Sequence, residues 1–383
     1  MPPESSFWLK YLFFVKSSPS FISCFAPFHY FCTSKSVESF MQLHSTNKNS
    51  PEVPFEQAIF LGLPPDNGLY MPNHIPTLDK DFFNQLPNLS LPEIAFQVSK
   101  ALIGDDIPEN ILKELIEDAI NFEAPLVEIG KDEYALELFH GPSLAFKDFG
   151  ARFMSRIMGY FLKKNNDFVH ILVATSGDTG GAVAMGFYNT PNIKVSILYP
   201  SGKVSDLQEK QLTALGGNIE AYEVNGTFDD CQAMVKKAFL DRNLADKLHL
   251  SSANSINIAR LIPQTFYYFN TVAALMRKGA KKPIVFVVPS GNFGNIGAGL
   301  IAKRMGLPVY DFVAATNAND IIPKYLESGN FEPKPSVRTI SNAMDVGNPS
   351  NFARIKALYS SSVENLRKDM KGFSFDDEST KMA

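Results

Sequence analysis

The sequence has little of what a metal centre, a disulfide scaffold or a nucleic-acid partner would need. Cysteine occurs three times, at Cys24, Cys32 and Cys231, in no CxxC pair and without the histidine spacing of a zinc site. A disulfide framework and a structural zinc are therefore not expected, and a reducing compartment fits. His44, His140, His170 and His249 are scattered along the chain, and no metal is expected. Charge of one sign is not in excess: the net charge is −4 over 383 residues, with no basic stripe interleaved with aromatics, so nucleic acid is not expected as a partner. There is no GxxxxGK[ST] run, which argues against a nucleoside triphosphate loop.

A long hydrophobic run is also missing. The most apolar stretch lies within residues 1–40, where Lys10 and Lys16 interrupt it before it could span a membrane. That segment holds the only Trp, two of the three Cys and an unusual density of aromatics. It lacks the basic start and small-residue cleavage site of a signal peptide, and it has no Arg to suit a transit peptide. The preferred expectation is an atypical leader read in frame ahead of a true start at Met41, with organelle targeting second. A cytoplasmic protein with no membrane partner follows. Its oligomeric state is not legible.

What is present is a repeated grammar. "FVHILV" from Phe168, the turn "ATSGDTGG" and an Ala- and Met-rich stretch read as strand, turn and helix. "NIKVSILYP", "SDLQEKQLTAL" and "NIEAYEV" continue as strand, helix and strand, with a further helix around Phe228–Leu240. The grammar returns from Lys282 to Thr316, with the turn "SGNFGN" at its centre. Strands alternating with helices at this spacing predict an α/β fold with parallel sheets and right-handed crossovers. Ligands of such sheets sit at the C-terminal strand ends, where both turns fall.

The turn Ser290–Asn295 places two glycines before a helix whose first N–H groups suit an anion, a phosphate above all. An ordinary strand-to-helix turn is the plainer reading. The turn Ser176–Gly180 also offers N–H groups, but it carries Asp178, which suits either a ligand loop or a helix N-cap. "FKDFGARFMSRIMGYFLKK" projects Phe149, Phe153, Ile157 and Phe161 on one helix side with Met154 and Met158 beside them. Lys147 falls on that side, while Asp148, Arg152, Ser155 and Lys163 fall on the other. An amine in apolar surroundings is desolvated toward its neutral, nucleophilic form. A lysine snorkelling from a helix start is the alternative.

Six ordered motifs go further: "HGPSLAFKDFGARFM", "ATSGDTGGAV", "YPSGKVSDLQEKQ", "SINIARLIPQ", "PSGNFGN" and "SNAMDVGNPSN". With "STNKNSPEVPFEQAIFLGLPPDNGLYMP" ahead of them, the chain from Met41 to about Tyr359 closely resembles the threonine synthase family of the longer bacterial and fungal type. The resemblance implies a pyridoxal 5′-phosphate lyase of the tryptophan-synthase-β fold type, with two α/β domains and helices on both sheet faces. It would convert O-phospho-L-homoserine and water to L-threonine and phosphate.

By the same resemblance Lys147 is the Schiff-base lysine, and Ser290, Gly291, Asn292, Phe293, Gly294 and Asn295 form the cofactor-phosphate loop. Asp178 would lie at the cofactor, and Ser176 and Thr179 at the substrate carboxylate. Arg152, Lys203 and Arg260 are candidate cations for the substrate phosphate, with Asn257 beside them. The expected divisions are a leader 1–40, an N-terminal region 41–130, a smaller domain 131–240 holding cofactor and substrate, and a larger domain 241–383. Family members continue past the "MDVGNPSN" motif, so the expectation is that the larger domain lacks its C-terminal part. The alternatives are another phospho-lyase or dehydratase of this cofactor class, and a non-catalytic relative.

Overall fold

The computed structural model describes the backbone of residues 12–17 and residues 41–175, 177–341 and 345–382. Apart from residues 12–17, the segment read as a leader lies outside the described residues. Residues Leu12–Ser17 form strand β1, which lies antiparallel between two strands of the largest sheet described below.

The N-terminal region builds a three-stranded antiparallel sheet from β2 (Gln42–Ser45), β3 (Val53–Pro54) and β4 (Tyr70–Pro72). With it go helices α1 (Phe55–Leu61), α2 (Lys80–Gln85), α3 (Leu91–Ile103) and α4 (Glu109–Ala119). The start of α3 shows how locally these elements are specified. Ser90 accepts from the Glu93 N–H while the Glu93 carboxylate accepts from Ser90 N at 2.7 Å, a reciprocal cap.

Strands β5 (Leu126–Gly130) and β6 (Glu133–Glu137) form a hairpin, and helix α5 (Lys147–Asn165) follows. Next come β7 (Val169–Ala174), α6 (Asp178–Phe187), β8 (Ile193–Pro200), α7 (Asp206–Thr213), β9 (Ile219–Val224), α8 (Phe228–Leu240), α9 (Arg242–Leu248) and β10 (Leu250–Ser251). They give a four-stranded sheet in the order β10-β7-β8-β9, parallel throughout.

Helices α10 (Ile258–Leu261) and α11 (Phe266–Arg277) lead to β11 (Ile284–Pro289), α12 (Gly294–Arg304) and β12 (Asp311–Thr316). The chain continues through α13 (Ile321–Ser328), α14 (Phe352–Leu358), α15 (Val363–Asp369), β13 (Met370–Ser374) and α16 (Asp377–Met382). The second large sheet runs β13-β12-β11-β1-β6-β5. Its β11, β12 and β13 are parallel, as the alternating grammar predicts, whereas β1, β6 and β5 join them antiparallel. Boundaries at residues 131 and 240 therefore do not follow the sheets, because β6 pairs in the six-stranded sheet and β10 in the four-stranded one. No helix among the described residues is long and apolar enough to cross a membrane.

Helix α5 is the hinge of this packing. Phe149, Phe153, Ile157 and Phe161 are each at most 1% exposed, and burying each contributes about 1.5–3 kcal/mol. The face expected to be polar is covered at Asp148 and Ser155, while Arg152 is half-buried and Lys163 exposed. Helix α6 approaches closely through Gly186, whose carbonyl accepts from Ser155 Oγ at 2.6 Å, and the Asp148 carboxylate accepts from Ser143 N at 2.9 Å. A helix flanked on both sides must satisfy its buried polar atoms internally, which the one-sided projection could not show.

Candidate active site

Both glycine turns and the start of α5 converge on a cavity of about 270 Å³. Its wall includes Lys147, Asp178, Thr179, Arg260 and Gln264, the whole turn Ser290–Asn295, and the end of β12. This is the C-terminal edge of the parallel strands, where the open ends of βα turns leave a crevice.

Lys147 is the first residue of α5, and its Nζ lies 3.8 Å from Asp178 Oδ2 at the first residue of α6. The two side chains are 12% and 14% exposed. The amine thus faces a polar crevice and a carboxylate. Met154 and Met158, expected beside it, belong to the core and not to the cavity.

Asp178 is not the N-cap of its helix. Gly177 holds that place, and the buried Thr175 hydroxyl accepts from the N–H groups of Gly177 at 3.0 Å and Gly180 at 2.8 Å. The Asp178 carboxylate lines the cavity and accepts from Gln208 Nε2 at Oδ1, at 2.6 Å.

The second turn is built differently. Phe293 caps α12 at φ 61° although it is bulky, and it is held there buried, edge-on to Phe352 with ring centres 6.0 Å apart. Such a conformation costs on the order of 1–3 kcal/mol and persists only where packing imposes it. The first bond of this helix runs from Gly297 N to Phe293 O. The N–H groups of Gly294, Asn295 and Ile296 therefore have no partner within the helix.

Asn295 is 7% exposed, and its Oδ1 accepts from the hydroxyls of Tyr267 and Tyr268, each at 2.7 Å. Burial pushes both phenols far up, so they remain donors. Asn295 Nδ2 is left without a hydrogen-bond partner among the described residues. Asn292 is braced from two sides: its Nδ2 donates to Ser255 Oγ at 2.8 Å, and its Oδ1 accepts from Ser350 N at 2.7 Å.

Arg260 forms the floor. It is 3% exposed and donates from Nη1 to Ala253 O, while its Nε has no partner among the described residues. Burial pulls the guanidinium down to about 10, still protonated at neutral pH. It fits only because position 150 is glycine: a Cβ there would stand 2.6 Å from Arg260 Nε. Asp148 packs nearby, and burial raises its carboxyl to about 6. Gln264 donates to Arg260 O at 2.7 Å, and its Oε1 has no partner among the described residues.

Three expected substrate contacts are not brought to the cavity. Arg152 donates to the carbonyls of Asp118 and Ala119 and to Asn121 Oδ1, so its guanidinium is spent on tying α4 to α5. Asn257 is fully buried as the cap of α10, bonded to Ile59 O and Ala259 N. Lys203 is exposed in the turn after β8 and does not line the cavity. Ser176 lies outside the described residues. Gln208, Gln264 and Ser341 were within quoted motifs yet unremarked, and Asn317 and the Tyr267–Tyr268 pair were not singled out. "FYYF" reads as core, and nothing in its spacing announces a buried amide between the two phenols.

Family models match across this framework. One described as "Threonine synthase N terminus" covers residues 42–120, and one described as "Pyridoxal-phosphate dependent enzyme" covers residues 122–369. A threonine synthase of Serratia marcescens is 46% identical over 341 residues, which are 89% of this chain and 79% of that protein. The crystal structure of the Escherichia coli threonine synthase superposes with a TM-score of 0.81 at 45% identity, over 89% of this chain and 79% of that one. The chain belongs to the threonine synthase family. A threonine synthase from Brucella melitensis, solved with pyridoxal phosphate bound, matches with a TM-score of 0.83 at 36% identity, over 88% of this chain and 78% of that one.

As a threonine synthase the chain is a pyridoxal-phosphate-dependent lyase, and its cavity suits that cofactor. An amine for the aldehyde, a helix start with N–H groups unused within the helix for the phosphate, and Asn295, whose Nδ2 has no partner among the described residues, line it together. A phosphate bound there would satisfy polar atoms that otherwise cost about 1–3 kcal/mol each to bury.

Proposed function

We propose that this chain converts O-phospho-L-homoserine and water to L-threonine and phosphate, in the cytoplasm. The observation that carries the reading is the meeting of Lys147, Asp178 and the Ser290–Asn295 turn in one crevice with the buried cation Arg260. Pyridoxal phosphate, when bound, supplies the electron sink that makes protons on the substrate's carbon chain removable.

The chain's own residues do the rest. Lys147 Nζ is the attachment point, and it takes and returns protons at the substrate's Cα and Cβ. Asp178, 3.8 Å away, steadies that nitrogen when it carries a proton. The N–H groups of Gly294 and Asn295, with Asn295 Nδ2, hold the cofactor phosphate, and Ser290, Gly291, Asn292 and Phe293 shape the cradle. Thr179 and the adjoining turn suit the substrate carboxylate. Arg260, already desolvated, offers a charge-assisted bond to the substrate phosphate. Cysteines that are few and unpaired in spacing fit the reducing compartment.

The purified chain loaded with pyridoxal phosphate is expected to be yellow and to release phosphate from O-phosphohomoserine, leaving O-phosphoserine largely untouched. Lys147→Ala should lose the lysine-linked absorbance band and at least about a thousandfold of turnover. Retention of band and turnover in that variant, or faster phosphate release from O-phosphoserine, contradicts the proposal.

A further inference from the structure

Helix α14 carries a buried charge that no carboxylate among the described residues neutralises. Arg354 is 2% exposed, and its guanidinium meets neutral acceptors: Nε donates to Tyr70 O at 3.1 Å, Nη2 to Ile256 O at 2.6 Å and Nη1 to Asn351 Oδ1 at 2.6 Å. Burial pulls the group down to about 9, and no acid acts against that. A desolvated charge is costly unless an opposite charge stands near it. The arginine therefore lacks an anion.

Its contacts lead to the second glycine turn. Asn351 is buried, its Nδ2 donates to Ser255 O at 3.4 Å, and a Cβ on Gly294 would stand 3.3 Å from that same Nδ2. Ser255 in turn accepts from Asn292, and Ser350 donates to it. Arg354 does not line the cavity; Asn351 stands between it and the first residue of α12. We propose that Arg354 is a positioning residue that acts through Asn351, and that the phosphate held at the start of α12 is the anion its buried guanidinium lacks. This rests on the Ser290–Asn295 turn being the phosphate cradle. A cation on Asn351 Oδ1 polarises the amide, so Nδ2 turns a more positive end toward Gly294.

The elements around Arg354 offer it little else. Helix α12, packed on α14, has no charged residue in its first turn; its Lys303 and Arg304 are in the last turn, and Lys303 pairs with Asp369 at 2.8 Å. Helix α10 adds a second cation, Arg260. Asp66, whose charge reaches the Tyr70 phenol, accepts from Ser45 Oγ and from the N–H groups of Asn49 and Gly68.

The test compares equilibrium binding of pyridoxal phosphate and of pyridoxal to the full chain freed of cofactor. Arg354→Met should weaken pyridoxal phosphate about tenfold and leave pyridoxal within about twofold. Arg354→Lys, which restores the charge, should recover most of the difference. Asn351→Asp keeps the oxygen that accepts from the guanidinium and gives it a counter-ion inside the chain. That variant should lose the same preference for the phosphorylated ligand, and it reads the charge even where Arg354→Met does not fold. An equal loss for both ligands in Arg354→Met overturns the inference and marks Arg354 as a clasp felt through the fold. An unchanged preference in Asn351→Asp, or a lysine variant that behaves like the methionine one, overturns it as well. Failure of the underlying reading looks different: wild type itself would then bind pyridoxal as tightly as pyridoxal phosphate.

Discussion

The two glycine turns of the cavity follow the same grammar of strand, turn and helix, yet they are electrostatic opposites. At the turn before α6, Thr175 already satisfies the N–H groups of Gly177 and Gly180, and Asp178 adds a carboxylate. At the turn before α12 the first N–H groups have no partner in the helix, Asn295 Nδ2 has none among the described residues, and the turn itself carries no acid. A helix start attracts an anion only while its donors are unspent. The first turn is therefore suited to an amine and, through Thr179, to a carboxylate, and the second to a phosphate.

The sharpest way to break this contrast is to remove the unspent donor. Asn295→Ala is expected to weaken pyridoxal phosphate binding by about 10–100-fold, while pyridoxal, which lacks the phosphate, binds as before. Equilibrium titrations with both compounds measure it. If Asp178→Asn changed the ratio of the two affinities as much, both turns would be phosphate sites and the contrast would fall.

A second effect, on the order of 2–3 kcal/mol, concerns Asp148, which follows Lys147 in α5. Burial raises its carboxyl from 3.8 to about 6, so between these values the folded chain holds a proton that the unfolded chain has lost. Stability from this group is present below about pH 4 and falls away as pH rises to about 6. Asp106, raised to about 6 by burial and by Glu56, adds a drop of the same sign. Asp148→Asn should therefore shrink, without abolishing, the loss of stability between pH 4 and 7 in urea unfolding. An undiminished loss contradicts the assignment.

The smallest effect tests the self-satisfied turn. Thr175→Val leaves two buried N–H groups without their acceptor and should cost about 1–2 kcal/mol in urea unfolding. Adding pyridoxal phosphate should stabilise wild type and variant by equal increments if, as proposed, the ligand's phosphate sits at the other turn. A larger increment in the variant would show the first turn accepting the phosphate too.

The elements around the site were largely legible in the sequence, because short-range rules write them. Alternation of β-branched runs with glycine turns located β7, β8 and β9 to within about two residues at each end, and placed β11 and β12 in one strand–turn–helix–strand run from Lys282 to Thr316. Lys147 was legible as a candidate, but for the wrong surroundings: the helix projection placed it among methionines, and the packing of α6 and α7 placed it before Asp178. Arg152 and Arg260 show the limit plainly. Each is an arginine in a motif-bearing stretch, and nothing in the residues near them says that one ties α4 to α5 and the other floors the cavity.

The sequence by itself determined where strands end and helices begin, which turns carry glycine, and that a lysine, an acid and a phosphate-type turn exist in this order. Those features depend on neighbours within a few residues, through backbone sterics, capping and the period of apolar positions. Only the tertiary structure decided which donors are spent and which remain, since that depends on partners far along the chain: Tyr267 on Asn295, Ser350 on Asn292, and Gln208 on Asp178. A hydrogen bond is made within about 3 Å whatever the separation in sequence, so the chemistry of the cavity becomes readable only when the fold has brought both partners to it.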